Sequence, residues 1–169
     1  GIEMLRRCEG IVPHRKQSTV RYHLARTLNE VGYFLVNLKR GEEAMKVLGE
    51  SIDLKRLGYA QAGSMAMTVG EMGQALELVG RFQEALRCNE QALEETQQLA
   101  ASGHATAEGD VHVHLIDRAR LLLRIGNLQE AERLVNDALP HVRDSRGVYR
   151  DKAQEVLKEI ADCRTAARD

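Results

Sequence analysis

Three stretches of the chain repeat one another. They read Asn37-Leu38-Lys39-Arg40-Gly41-Glu42-Glu43-Ala44, Leu78-Val79-Gly80-Arg81-Phe82-Gln83-Glu84-Ala85 and Arg124-Ile125-Gly126-Asn127-Leu128-Gln129-Glu130-Ala131. Each is a short turn, an acidic helix start and an alanine. The alanines are spaced by 41 and 46 residues, and the longer step contains residues 102–109, which read as an enlarged loop. Twelve residues before each alanine stand Gly32, Gly73 and Ala119, and seven after it stand Ser51, Ala92 and Ala138. All nine positions are small. Two antiparallel helices joined by a tight turn approach closely only where side chains are small, and a following hairpin needs a similar gap. A self-similarity of this period constrains the chain to a stack of helical hairpins.

Large apolar residues occupy the matching places. Leu28, Val69 and Leu115 precede the first small residue by four, Leu35, Leu76 and Leu122 follow it by three, and Ile52, Leu93 and Leu139 follow the last. These spacings give each helix a broad apolar stripe. The pattern predicts helices over about 19–38 and 41–57, 60–79 and 82–101, and 109–125 and 128–143. Gly41, Gly80 and Gly126 are expected to punctuate the turns within hairpins, and Gly58 and Gly103 to lie near hairpin ends. Residues 2–10 read as the tail of an upstream helix closed by Gly10 and Pro13. Residues 147–167 read as one more amphipathic helix, without the small-residue code, that caps the stack.

The pattern resembles the tetratricopeptide repeat (TPR), over residues 25–143. The repeat length is similar to the longer variety found in kinesin light chains and in the sensor arms of bacterial STAND signalling ATPases. The resemblance implies an all-α, right-handed solenoid of three hairpins plus a capping helix. Its parts would be residues 1–18 (helix tail and linker), 19–57, 58–103 and 104–143 (repeats) and 144–169 (cap). Asn89, where a bulky apolar residue is usual, and Arg118, at a position normally buried, depart from the family pattern.

The resemblance also implies where a ligand would lie: in the concave groove lined by the first helix of each hairpin. Two positions before the small residue of that helix stand Glu30, Glu71 and Asp117, an acid in every repeat. Groove neighbours would be Arg26, Asn29, Tyr33 and Asn37 in the first repeat. Met67, Gln74 and Glu77 would join them from the second, and Val113, Arg120 and Arg124 from the third. Such a surface would take a protein or peptide, with a basic or amide-rich segment matching the acids. Arg26 and Arg120 stand at pairing distance along the helix from Glu30 and Asp117, so the same acids also read as locally neutralised. The family's clamp for an acidic C-terminus looks absent, since its basic and amide places read Arg26/Glu30, Met67/Glu71 and Val113/Asp117. Two functions fit: a protein–protein interaction scaffold, or the sensory or autoinhibitory arm of a larger signalling protein of the STAND kind. In the second, the partner is another domain of the same chain or a small ligand. The chain begins at Gly1 rather than Met, which suggests a piece of a longer protein.

Other classes are disfavoured. With 24 basic and 25 acidic residues the net charge is −1, and nucleic acid or an anionic membrane calls for a basic surplus. No apolar run approaches the ~18 residues of a membrane span, and the N-terminus lacks a secretory leader pattern. Cys8, Cys88 and Cys163 are odd in number and far apart, as expected of free thiols in the cytoplasm. Asp110, His112 and His114 do not converge as a metal set on a helix, and are expected to be an ordinary helix start with exposed histidines. Neither a phosphate-binding loop nor a catalytic constellation is present, so neither cofactor nor enzymatic activity is expected.

Overall fold

The computed structural model describes residues 1–11, 14–61, 63–142 and 148–166. Pro13, the start of the expected cap and its last three residues lie outside them. Among the described residues there are eight α-helices and no strand. They are α1 (Ile2–Ile11), α2 (His14–Asn37), α3 (Gly41–Arg56), α4 (Ser64–Leu78), α5 (Phe82–Ala101), α6 (Ala107–Arg124), α7 (Leu128–Ala138) and α8 (Val148–Ala166). A 3-10 turn, Leu139–His141, follows α7. Contacts divide the chain into two units, residues 1–88 and 89–169, with the boundary inside α5.

In unit 1, α2 packs on α1, α3 and α4, and α3 packs on α4. In unit 2, α6 packs on α7, and α8 packs on both. All nine small residues are buried. A Cβ added to Gly32 would overlap Cδ2 and Cγ of Leu48, itself fully buried. Ser51 shows how a polar atom is tolerated at such a seam: its hydroxyl donates to the carbonyl of Ala25 at 2.7 Å.

The helices from α2 to α6 end alike. After α2, Arg40 N–H donates to Leu35 O at 2.9 Å and Lys39 N–H to Val36 O at 3.0 Å. Arg81 and Gly80 make the equivalent bonds after α4, and Asn127 and Gly126 after α6. Tyr59 and Gly58 close α3 in the same way, and His104 and Gly103 close α5. This is the Schellman closure, whose penultimate residue is left-handed. Glycine holds that place at four of the five ends, with φ between 78° and 92°. Lys39 holds the fifth at φ 60°. Gly41 is therefore not the turn residue that the sequence suggested. It opens α3 and is buried, because a Cβ there would stand 2.8 Å from Val79 Cγ1 and 3.0 Å from Ala75 O.

Two other ends differ from expectation. Gly63, at φ 78°, delays α4 to Ser64. Pro140, which lacks an N–H and crowds the preceding turn, ends α7 at Ala138. At the second helix of the first two hairpins, Arg40–Glu43 and Arg81–Glu84 pair at 2.6 Å across the first turn. At the third hairpin Asn127 instead accepts from Glu130 N–H as a true cap.

Two substitutions test this frame by urea denaturation. Lys39→Gly should stabilise by about 1 kcal/mol, relieving a left-handed side-chain-bearing residue. Gly32→Ala should destabilise by roughly 1–3 kcal/mol despite alanine's better helix propensity, because the added methyl overpacks Leu48.

Candidate functional site

The three equivalent acids meet three environments. Glu30 is exposed and pairs with Arg26 at 3.0 Å. Glu71 is buried where α4 meets α2 and α3. Asp117 is buried, 3.3 Å from Arg120 on its own helix and 3.8 Å from Lys152 on α8.

A polar cluster surrounds Glu71 in unit 1. Lys55, near the end of α3, donates from Nζ to Ser64 O at 2.7 Å, to Asn29 Oδ1 at 3.3 Å and to Thr68 Oγ1. Thr68 is bonded onward to Asn29 Oδ1. Asn29 also lies near enough to the Glu71 carboxylate to favour its ionised form. Asn29, Lys55, Thr68 and Glu71 are all buried, and Glu71 Oε2 has no hydrogen-bond partner among the described residues. Burial pushes the Glu71 carboxyl up to about 7, against the opposing pull of Lys55 and Asn29. Burial likewise pushes Lys55 down to about 8, partly offset by Glu71.

The open face of unit 1 lies on the same two helices. On α2, Arg26, Glu30, Tyr33 and Asn37 follow one another at helical spacing and are exposed. On α4 the stripe runs Met67, Glu71, Gln74 and Leu78, with Met67 open, Gln74 half-buried and Leu78 exposed. Glu77 is half-buried beside it. Tyr33 is 50% exposed, Phe34 63%, Leu38 65% and Met67 58%. The rings of Tyr33 and Phe34 meet edge-on with centroids 5.6 Å apart. Phe34, Leu38 and Leu78 fall outside the set picked by the repeat register. Their only sequence signal is an apolar side chain off the core phase. Of the large apolar residues that stand exposed among the described residues, all but Ile125 belong to unit 1.

In unit 2 the corresponding face of α6 is largely covered. Val113 and Arg120 are half-buried, and Arg124, although exposed, pairs with Glu159 of α8 at 2.6 Å. Arg164 of α8 pairs with Glu132 of α7 at 2.7 Å. Asn89 is buried as a polar residue, its Nδ2 donating to the His114 carbonyl at 2.9 Å. That bond explains the departure from an apolar side chain. Arg118 is half-buried. His114 is buried rather than exposed, since it shares a face of α6 with Ala107 and Leu121. His112 is half-buried and stacks on His141, centroids 4.8 Å apart. Burial holds both imidazoles below the ordinary range. At His112 the neighbouring His141 adds to this, while at His114 Asp117 and Asp110 oppose it. Among the described residues no three His, Cys, Asp or Glu side chains are grouped to hold a metal ion, and no helix is long and apolar enough to cross a membrane. Cys163 is exposed, and Cys8 and Cys88 are half-buried.

No protein-family model and no curated protein matches this chain. Solved structures do. The Q17M crystal structure of the Podosopora anserina putative kinesin light chain, with nearly identical TPR-like repeats, aligns at TM-score 0.54 and 17% identity over 99% of this chain and 86% of that one. A second crystal structure of the same repeats aligns at TM-score 0.52 and 18% identity over 98% and 86%. The helical hairpins of this chain are TPR-like repeats in their fold.

Glu71 and His114 should respond to acid in opposite directions. Folded Glu71 binds its proton more tightly than the unfolded chain does, so it favours folding increasingly as pH falls from about 7 toward the ordinary carboxylate range. The stability of the wild type relative to Glu71→Gln should grow by on the order of 1–2 kcal/mol between about pH 8 and about pH 5.5. Folded His114 resists protonation, so its contribution is lost as pH falls through the ordinary imidazole value. Relative to His114→Gln, the wild type should weaken over the same interval. Urea denaturation at the two pH values reads both slopes.

Proposed function

We propose that the chain is a protein-interaction scaffold that docks a peptide or partner segment on the α2–α4 face of unit 1. The observation that carries this reading is the placement of exposed apolar side chains. Tyr33, Phe34, Leu38, Met67 and Leu78 all stand on those two helices or the turn after α2. Exposed apolar surface of this kind, rimmed by Arg26, Glu30 and Asn37, marks binding faces in soluble proteins. Tyrosine and methionine suit the task, the first as a rigid anchor with a polar tip, the second as an adaptable contact. The TPR-like fold supports the same reading, since such arrays present extended binding surfaces built from successive helices.

Within the face, Arg26, Asn29, Glu30, Tyr33, Asn37, Met67, Glu71, Gln74 and Glu77 would contact or frame the ligand. Val113, Asp117, Arg120 and Arg124 would play the lesser part in unit 2, where α8 packs against α6. Arg26 and Glu30 neutralise one another, so charge steering is a secondary contribution. The function is recognition rather than catalysis.

Affinity capture with the wild-type chain and with Tyr33→Ser/Met67→Ser tests the assignment. Both sites are exposed, so the variant should fold normally. A true partner should bind it at least tenfold more weakly, which corresponds to ~1.4 kcal/mol. Partners captured equally well by both proteins would place the docking surface elsewhere.

A further inference from the structure

We propose that Glu71 is a recognition residue of the α2–α4 face, and that it hydrogen-bonds the side-chain carboxamide of an Asn or Gln in a bound peptide whose apolar neighbours rest on Tyr33 and Met67. This rests on the scaffold reading and narrows it.

Glu71 is only 9% exposed, yet Oε2 of its carboxylate finds no partner among the described residues. Buried polar atoms are nearly always satisfied in folded proteins, and a carboxylate oxygen left unmet is costly. Its place on the helix links it to the ligand face. Met67 stands one turn before it and Gln74 one turn after, on the same stripe of α4. Met67 is open to solvent and unbranched, so it can adapt its side chain to a ligand on this stripe.

The surroundings select the chemistry. Lys55 is already the neighbouring positive charge that acts on Glu71, while its ammonium donates to Ser64 O, Asn29 Oδ1 and Thr68 Oγ1. A second cation brought to the same buried spot would be repelled by the first. An apolar group would leave Oε2 unmet. A carboxamide offers a donor N–H and an acceptor C=O without net charge. It can therefore serve Glu71 whether the carboxyl is ionised or protonated, both forms being accessible with the group held at about 7. Glu30 and Asp117, in the same repeat register, lack this combination: Glu30 is exposed and paired with Arg26, and Asp117 lies beside Arg120 and Lys152.

The test uses a phage-displayed random peptide library panned on the full chain, with enriched peptides measured by calorimetry. Enriched sequences should share an Asn or Gln flanked by apolar residues. Replacing that residue by Leu or by Lys in the peptide should weaken binding at least tenfold. Tyr33→Ser should weaken every enriched peptide. Glu71→Leu should abolish the preference for the amide, whereas Glu71→Gln, which keeps both a donor and an acceptor, should retain it. If Glu71→Leu does not fold, as judged by circular dichroism, the peptide substitutions with the wild type and Glu71→Gln decide. Peptides that depend on Tyr33 but ignore the amide and Glu71 would overturn this inference and leave the scaffold reading standing. Peptides that prefer Lys or Arg, and lose affinity in Glu71→Gln or in high salt, would replace the amide by a cation and overturn it too. A library that enriches nothing dependent on Tyr33 would overturn both readings.

Discussion

Close approach of helix backbones across small side chains is the constraint from which the rest follows. Gly32 against Leu48 is its clearest instance: the space of a single methyl is already filled. Alanine, glycine and serine at the nine register positions let helices lie near enough for flanking Leu, Ile and Val to interlock. Backbone polar groups at the helix ends must then be satisfied within the short turns. One hydrogen-bond pattern does this five times in succession, from α2 to α6. Close seams and repeated turns together constrain how each helix ends and the next begins.

Repetition of backbone does not bring repetition of environment. Glu30, Glu71 and Asp117 hold one register position, yet one is solvated and two are buried. What differs is the neighbour. Asn29 of α2 and Lys55 of α3 lie near Glu71, and Lys152 of α8 reaches Asp117. A position that would face solvent on an isolated hairpin becomes an internal polar site once another helix lies beside it. At Glu71 the cost of burying charge is met in part by the nearby Lys55 and in part by a shifted proton equilibrium.

The same logic bears on binding. Unit 2 covers much of the corresponding face of α6 with α8, and the ion pairs Arg124–Glu159 and Arg164–Glu132 hold that helix on α6 and α7. Unit 1 leaves α2 and α4 with open aromatic and apolar side chains. A chain with near-balanced charge and an apolar face on two neighbouring helices is suited to a partner recognised by shape and hydrogen bonding more than by long-range attraction.

Sequence alone determined the helical hairpins, their number and the small residues at their seams. These depend on local periodicity and on side-chain volume, both of which are written in the order of residues. Tyr33 and Met67 could be picked as open positions from helical phase. Phase could not reveal that Phe34, Leu38 and Leu78 stay uncovered, that Lys39 rather than Gly41 takes the left-handed turn, or that Glu71 goes inside. Those outcomes were decided by tertiary packing. Whether a side chain meets water, an ion partner or another helix depends on residues that are distant in sequence, such as Lys55 for Glu71 and Lys152 for Asp117. No spacing rule along one helix encodes what a second helix will place against it.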